Sequence, residues 1–219
     1  MQPLFSAILL LFLHPRDNHM GKEKRKVIVI TDGDEIARKT VEVAARKVGG
    51  CCISATAGNP TPLSGEKIVE LIKEAHGDPV LVMLDDKGCR NKGKGEMALE
   101  YIAKSQDVEL IGVIAVASNT ELCKGVRIEH AITLDGQIID RPVDKHGIPE
   151  KIGNQFLEGD TVSVLDSLNI PTIIGIGDIG KMHGRDRYDR GAKITTQAIR
   201  YILKRSGYHC ERGKNNNNF

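Results

Sequence analysis

Lys26-Val27-Ile28-Val29-Ile30-Thr31-Asp32-Gly33-Asp34 is the stretch from which the fold can be read. Val27 to Ile30 are apolar and β-branched without a polar alternation, the pattern of a strand covered on both faces at the centre of a parallel sheet. Thr31 to Gly33 interrupt the run. From Asp34 to Val48 apolar side chains then recur at helical spacing (Ile36, Val41, Ala44, Ala45, Val48), and Gly49-Gly50 stop the helix. A buried strand followed by an amphipathic helix is the first half of a βαβ unit.

The chain repeats this alternation downstream. Ile53 to Ala57 reads as a second strand, Pro60-Thr61-Pro62 as a rigid turn, and Ser64 as the N-cap of a helix running to Ala75. Lys67 stands where a capping box would place Glu, so only half of that signal is present. Strands are expected at Pro79–Leu84, Leu110–Ala117 and Pro171–Ile176, and helices at Glu96–Ser105, Thr161–Leu168 and Ala192–Lys204. Such alternation predicts right-handed crossovers and an α/β fold, a mainly parallel open sheet flanked by helices, Rossmann-like or Toprim-like. Asp135-Gly136 between two short apolar runs in Glu129–Asp140 predicts a β-hairpin inserted into that order.

Composition narrows the function. Hydrophobic residues make up 40% and charged residues 27% of the 219, enough apolar surface for a core without disulfides. Lys and Arg number 31 against 29 Asp and Glu, so a net charge of +2 supplies no global field for nucleic acid or an anionic bilayer, and any attraction has to be local. Aromatic residues are 4% with no Trp, which argues against stacking platforms for single strands. No nucleic-acid partner is expected. Cys51, Cys52, Cys89, Cys123 and Cys210 show no paired spacing of a zinc site or a disulfide framework, and a reducing compartment follows.

One α/β domain is expected over residues 24–206, with residues 1–23 an N-terminal extension and 207–219, rich in Asn, a disordered tail. Leu4 to Leu13 is too short for a bilayer that needs roughly 20 apolar residues, and it lacks the basic start of a signal peptide. Met20 reads as the natural start; a membrane-touching segment is the alternative.

Ligands of open parallel sheets bind outside the carboxyl ends of the strands, and there this sequence is acidic. Asp32 and Asp34 follow the first strand, Asp85 and Asp86 the third, and Asp178 the last core strand. Carboxylates converging from separate strands can hold Mg²⁺ together with water and phosphate oxygens, an arrangement similar to Toprim-type sites. That pattern has Glu after its first strand and Asp-x-Asp later, whereas here the first position is Asp and the later pair is adjacent. The competing reading makes Asp34 a helix cap and Asp85-Asp86 the start of a loop.

Two glycine motifs compete with the carboxylates. Gly88-x-x-x-x-Gly93-Lys94 matches most of a phosphate-cradling loop, but Gly95 stands where Ser or Thr would bind the metal. Gly88, Arg90, Gly93, Lys94 and Gly95, with Lys87 and Lys92 nearby, remain a candidate anion site ahead of a helix. Gly175-x-Gly177-x-x-Gly180 has the dinucleotide spacing, but it lies late in the fold and is followed by a charged loop. In that loop Lys181, Arg185, Arg187 and Arg190 form a candidate docking surface, and Asp178, Asp186 and Asp189 among them favour a self-neutralised loop as the alternative. His76, His130, His146 and His183 are scattered, and neither a nucleophile elbow nor a zinc-protease helix is present.

Taken together, Lys26 to Asp34, Ser54-Ala55-Thr56-Ala57-Gly58-Asn59-Pro60-Thr61, Leu84-Asp85-Asp86-Lys87-Gly88 and Gly175-Ile176-Gly177-Asp178-Ile179-Gly180-Lys181-Met182 resemble the soluble form of the stage V sporulation protein AE family of spore-forming Firmicutes. The resemblance implies a sporulation product made alongside membrane proteins that move dipicolinic acid into the spore and release it at germination. It further implies peripheral association with the spore inner membrane and, as partners, membrane proteins of the stage V sporulation A operon and the germination apparatus. It brings no catalytic residues with it.

Overall fold

The computed structural model describes residues 23–86, 92–118, 125–159, 161–162 and 164–208. Strands β1 (Arg25–Ile30), β2 (Cys51–Cys52), β3 (Val80–Met83) and β4 (Val108–Val116) alternate with helices α1 (Glu35–Val48), α2 (Gly65–Glu74) and α3 (Lys94–Lys104). Short strands β5 (Val126–Arg127), β6 (His130–Ile132), β7 (Ile138–Ile139) and β8 (Phe156–Leu157) follow, and β9 (Ile173–Ile176) and α4 (Lys193–Arg205) close the fold. The main sheet has the order β2-β3-β1-β4-β9-β6-β7, with every pairing parallel except β6 with β7; β5 and β8 form a separate antiparallel pair. The open, mainly parallel α/β sheet expected from the alternation is therefore present.

β1 lies inside the sheet, which explains its unbroken apolar run. Val27 and Val29 pack with Ile68, Ile72, Leu99 and Ile102 of α2 and α3. Ile28 and Ile30 pack on the other face with Val41 and Ala44 of α1 and Ile199 and Ile202 of α4. Each fully buried branched side chain of this kind contributes about 1.5–3 kcal/mol.

The hairpin expected around Asp135-Gly136 joins β6 to β7, with the Gly136 amide donating to Thr133 O at 2.9 Å and φ of +82° at Gly136, a value that suits glycine. Two expectations shift. The second strand occupies Cys51–Cys52, while Ser54–Thr56 form a 3₁₀ turn instead of a strand. That turn lets the Thr56 hydroxyl accept the Met83 amide at 3.0 Å, a tertiary bond that outweighs local β propensity. The helix expected over Thr161–Leu168 shrinks to a 3₁₀ turn at Leu165–Ser167, and Thr161 has φ of +57°, which no helix accommodates.

Candidate functional site

The rim formed by the carboxyl ends of the strands is built by threonines. Beyond the last ladder bonds, Thr31 Oγ1 accepts the Val116 amide at 2.9 Å and Thr61 Oγ1 accepts the Asp85 amide at 2.8 Å. These side chains stop the strands and fix the loops that follow. β1 has its successors on both sides, β3 towards one edge and β4 towards the other, so the place where strand order reverses lies beside it.

A cleft of about 150 Å³ opens at that point, lined by Thr31, Asp32, Asp34, Asn59, Asp85, Val116, Ala117, Ser118, Asp178 and Lys181. Asp32, Asp34, Asp85 and Asp178, far apart in sequence, thus share one cleft. Gly33 permits the closure: a Cβ there would lie 2.6 Å from Gly58 O and 3.3 Å from Asp85 Cβ.

The carboxylates are not equivalent. Asp34 caps α1, its Oδ1 accepting the amides of Ile36 and Ala37 at 2.8 Å each. Its other oxygen accepts Lys181 Nζ at 2.9 Å, and the same ammonium donates to Asp178 at 3.0 Å. Burial opposes ionisation of Asp34, but the Ala37 amide, Lys181 and the Ile36 amide together hold its carboxyl below the usual range. Burial likewise opposes the charge on Lys181, and Asp34 and Asp178 more than compensate, holding the ammonium above its ordinary value. Asp32 has no such cation. Burial, then the charges of Asp34, Asp178 and Asp85, push it up to about 7 against the one amide, that of Asp34, that favours its anion.

Asp86 leaves this group. Its two oxygens accept the amides of Gly95 and Glu96 at 2.6 and 3.0 Å, so it caps α3 from outside that helix. The N-cap residue of α3 is Gly93, which has no side chain to do this, and a Cβ on Gly93 would strike Asp86 Oδ1 at 2.0 Å. Gly93 and Gly95 therefore give Asp86 room, a structural duty for two glycines of the candidate anion loop. Lys94 begins α3; Gly88 and Arg90, with Lys87, lie outside the described residues. Residues 1–22 and 209–219, most of the expected extension and tail, also lie outside them.

The basic loop after β9 divides. Lys181 turns into the cleft, while Arg185, Arg187 and Arg190 are exposed, Arg185 beside Asp135 at 3.8 Å and Arg187 paired with Asp189. Gly175-x-Gly177-x-x-Gly180 opens a turn and no helix, Gly180 taking φ of +74° where a Cβ would meet Thr40 Oγ1 at 2.4 Å. Met182 and His183 follow at φ of +42° and +52°. His183 stacks on His146 of the inserted segment with 4.9 Å between ring centroids, and the Asp178 amide donates to Lys145 O at 2.8 Å, so the insertion braces the loop that carries Lys181.

Sequence reasoning missed Asn59 and Ser118 as lining residues. Ser118 follows β4 as Asp32 follows β1, and the rule that sites form at strand ends applies to it as well. Among the described residues no group of three or more His, Cys, Asp or Glu side chains is arranged to hold a metal ion. No helix among them is long and apolar enough to cross a membrane.

A family model described as stage V sporulation protein AE1 matches residues 26–206, a span that includes the whole cleft. Comparison with curated proteins finds no match. Comparison with solved structures finds none either. With α1 to α4 and the seven-stranded sheet of the described residues inside the matched span but for the first residue of β1, this chain belongs to the stage V sporulation protein AE1 family and is a sporulation protein.

Proposed function

We propose that the protein is a non-enzymatic accessory component of the dipicolinic acid channel and the spore germination apparatus, held peripherally at the spore inner membrane through membrane proteins of the stage V sporulation A operon. The observation that supports this reading is membership of the sporulation family in a chain whose described residues include no helix able to cross a bilayer. A protein of that kind acts on a pore from outside it. Deleting the gene is expected to slow germination, and the tagged protein is expected to co-purify with those membrane proteins from detergent-solubilised spore membranes. Normal germination kinetics in the deletion strain, with no co-purifying membrane protein, would refute the proposal.

A second reading is favoured by one observation, the convergence of Asp32, Asp34, Asp85 and Asp178 at the switch point of the sheet. It is a Mg²⁺-dependent, Toprim-like phosphoryl-transfer or nucleotide-binding protein. Asp86 takes no part, since both its oxygens are engaged by α3, and a metal ion would have to displace Lys181 from between Asp34 and Asp178. The reading predicts that Mg²⁺ with a nucleotide raises the melting temperature and that Asp85→Ala abolishes the rise. The absence of any shift with Mg²⁺ and the common nucleoside triphosphates disposes of it.

A further inference from the structure

A net charge of +2 conceals a strong segregation. α1 and α4 pack side by side on one face of the sheet, and together they carry eight Lys and Arg against two Glu, a net of +6. α2 and α3 cover the opposite face with four Lys against five Glu, a net of −1. α4 contains no acidic residue at all, and Lys193, Arg200 and Lys204 recur on its exposed side at helical spacing.

Most of the basic groups that pair do so at the margins or along α1. Arg38 and Lys39 meet Glu35 and Glu42, Arg205 meets Glu129, and Lys47 donates to the carbonyl of Gly191. Arg46, Arg190, Lys193, Arg200 and Lys204 are exposed and form no ion pair with any described residue. Five unpaired cations on one side of a nearly neutral protein are a local field of the kind that composition alone does not reveal.

The same side also exposes apolar groups. Ile36 and Tyr188 are each 39% exposed, and Lys39 Nζ stands 5.6 Å from the centre of the Tyr188 ring. Tyrosine and aliphatic side chains beside lysine and arginine suit the headgroup level of a bilayer, where rings and methyl groups enter while the cations stay with the phosphates. Nucleic acid fits less well. The face is made by the sides of two helices, and it lacks the array of exposed aromatic rings on which single-stranded bases stack.

We infer that the α1/α4 face is an electrostatic docking surface for anionic phospholipid headgroups, by which the protein lies on a membrane. The inference rests on the peripheral location proposed above and adds a direct lipid contact to the one made through membrane proteins. Each Lys or Arg near an anionic surface strengthens binding by roughly five-fold, so removing three should weaken it by about two orders of magnitude.

The test is co-sedimentation of the full chain with phosphatidylcholine vesicles, with and without about 30% phosphatidylglycerol, a fraction sufficient to set up a negative surface potential. Binding is expected only to the anionic vesicles, and it should vanish in about 1 M NaCl, where charges are screened beyond roughly 3 Å. The triple variant Arg46→Gln, Arg200→Gln, Lys204→Gln should bind about a hundred-fold more weakly, while Lys67→Gln, Lys73→Gln, Lys104→Gln on the opposite face binds like the parent. If the triple variant melts lower than the parent, Lys204→Gln alone decides, with a loss of about five-fold. Failure to bind anionic vesicles, or equal losses from the two faces, overturns the inference. Tighter binding to duplex DNA than to the vesicles at the same salt overturns it too, since the face would then serve nucleic acid. Co-purification with membrane proteins in the absence of vesicle binding would remove this inference alone and leave the accessory role intact.

Discussion

Replacing Asp186 with Ala is expected to lower the unfolding free energy by roughly 3–5 kcal/mol, more than any surface substitution. Asp186 is fully buried, and its two oxygens accept four hydrogen bonds: from the amides of Ile194 and Thr195 at 2.8 and 3.0 Å, from the Thr195 hydroxyl at 2.6 Å and from the Gly180 amide at 3.2 Å. Ala192, the N-cap residue of α4, supplies no side-chain cap, so Asp186 satisfies the first amides of that helix and ties them to the turn after β9. Alanine would leave these donors buried without an acceptor. Asp186→Asn retains the size and part of the accepting capacity, and should lose about half as much. Urea unfolding followed by circular dichroism measures both. An unfolding free energy for Asp186→Ala within about 1 kcal/mol of the parent's would mean that water or another acceptor replaces the carboxylate.

The second large effect depends on pH. Asp32 titrates at about 7 in the folded chain against 3.8 in a solvated peptide, burial being the main cause and the neighbouring Asp34, Asp178 and Asp85 the next. A carboxyl raised in this way binds its proton more tightly in the native state than in the unfolded one. Its contribution to stability is therefore complete below pH 3.8 and is lost as pH rises through about 7. Asp32→Asn keeps an oxygen for the Asp34 amide and carries no charge, so it should remove this slope and stabilise the protein at pH 8 by about 2–4 kcal/mol. Parallel stability curves for parent and variant from pH 4 to pH 8 would show that Asp32 ionises freely. Asp34→Asn should act in the opposite sense, because Asp34 is held below its usual range by two amides and Lys181.

Both effects arise where reading along the chain is least informative. Asp34 and Ser64 cap α1 and α2 from the adjacent position, with amides two or three residues on, and these caps are legible in the sequence. α3 and α4 start at Gly93 and Ala192, which cannot cap, and depend on Asp86 and Asp186 in the preceding loops. Asp86 therefore looks like a strand-end ligand and Asp186 like one more charge in a solvated loop until their partners are known. Lys181 is read with Arg185, Arg187 and Arg190 for the same reason, since nothing local to Gly180-Lys181-Met182 says that its ammonium reaches Asp34, 147 positions earlier.

Legible along the chain were the alternation of strands and helices except at Ile53–Ala57 and Thr161–Leu168, the position of β1 inside the sheet, the hairpin at Asp135-Gly136 and the resemblance to a sporulation family, because each is written in short-range periodicity or in strings of adjacent residues. Tertiary structure alone decided which carboxylates face one another, which acids hold helix ends, and that basic side chains gather on the α1/α4 side. Hydrogen bonds need donor and acceptor within about 3 Å and Coulomb forces weaken with distance and are screened by salt beyond about 10 Å, and only chain packing sets those distances between residues far apart in sequence.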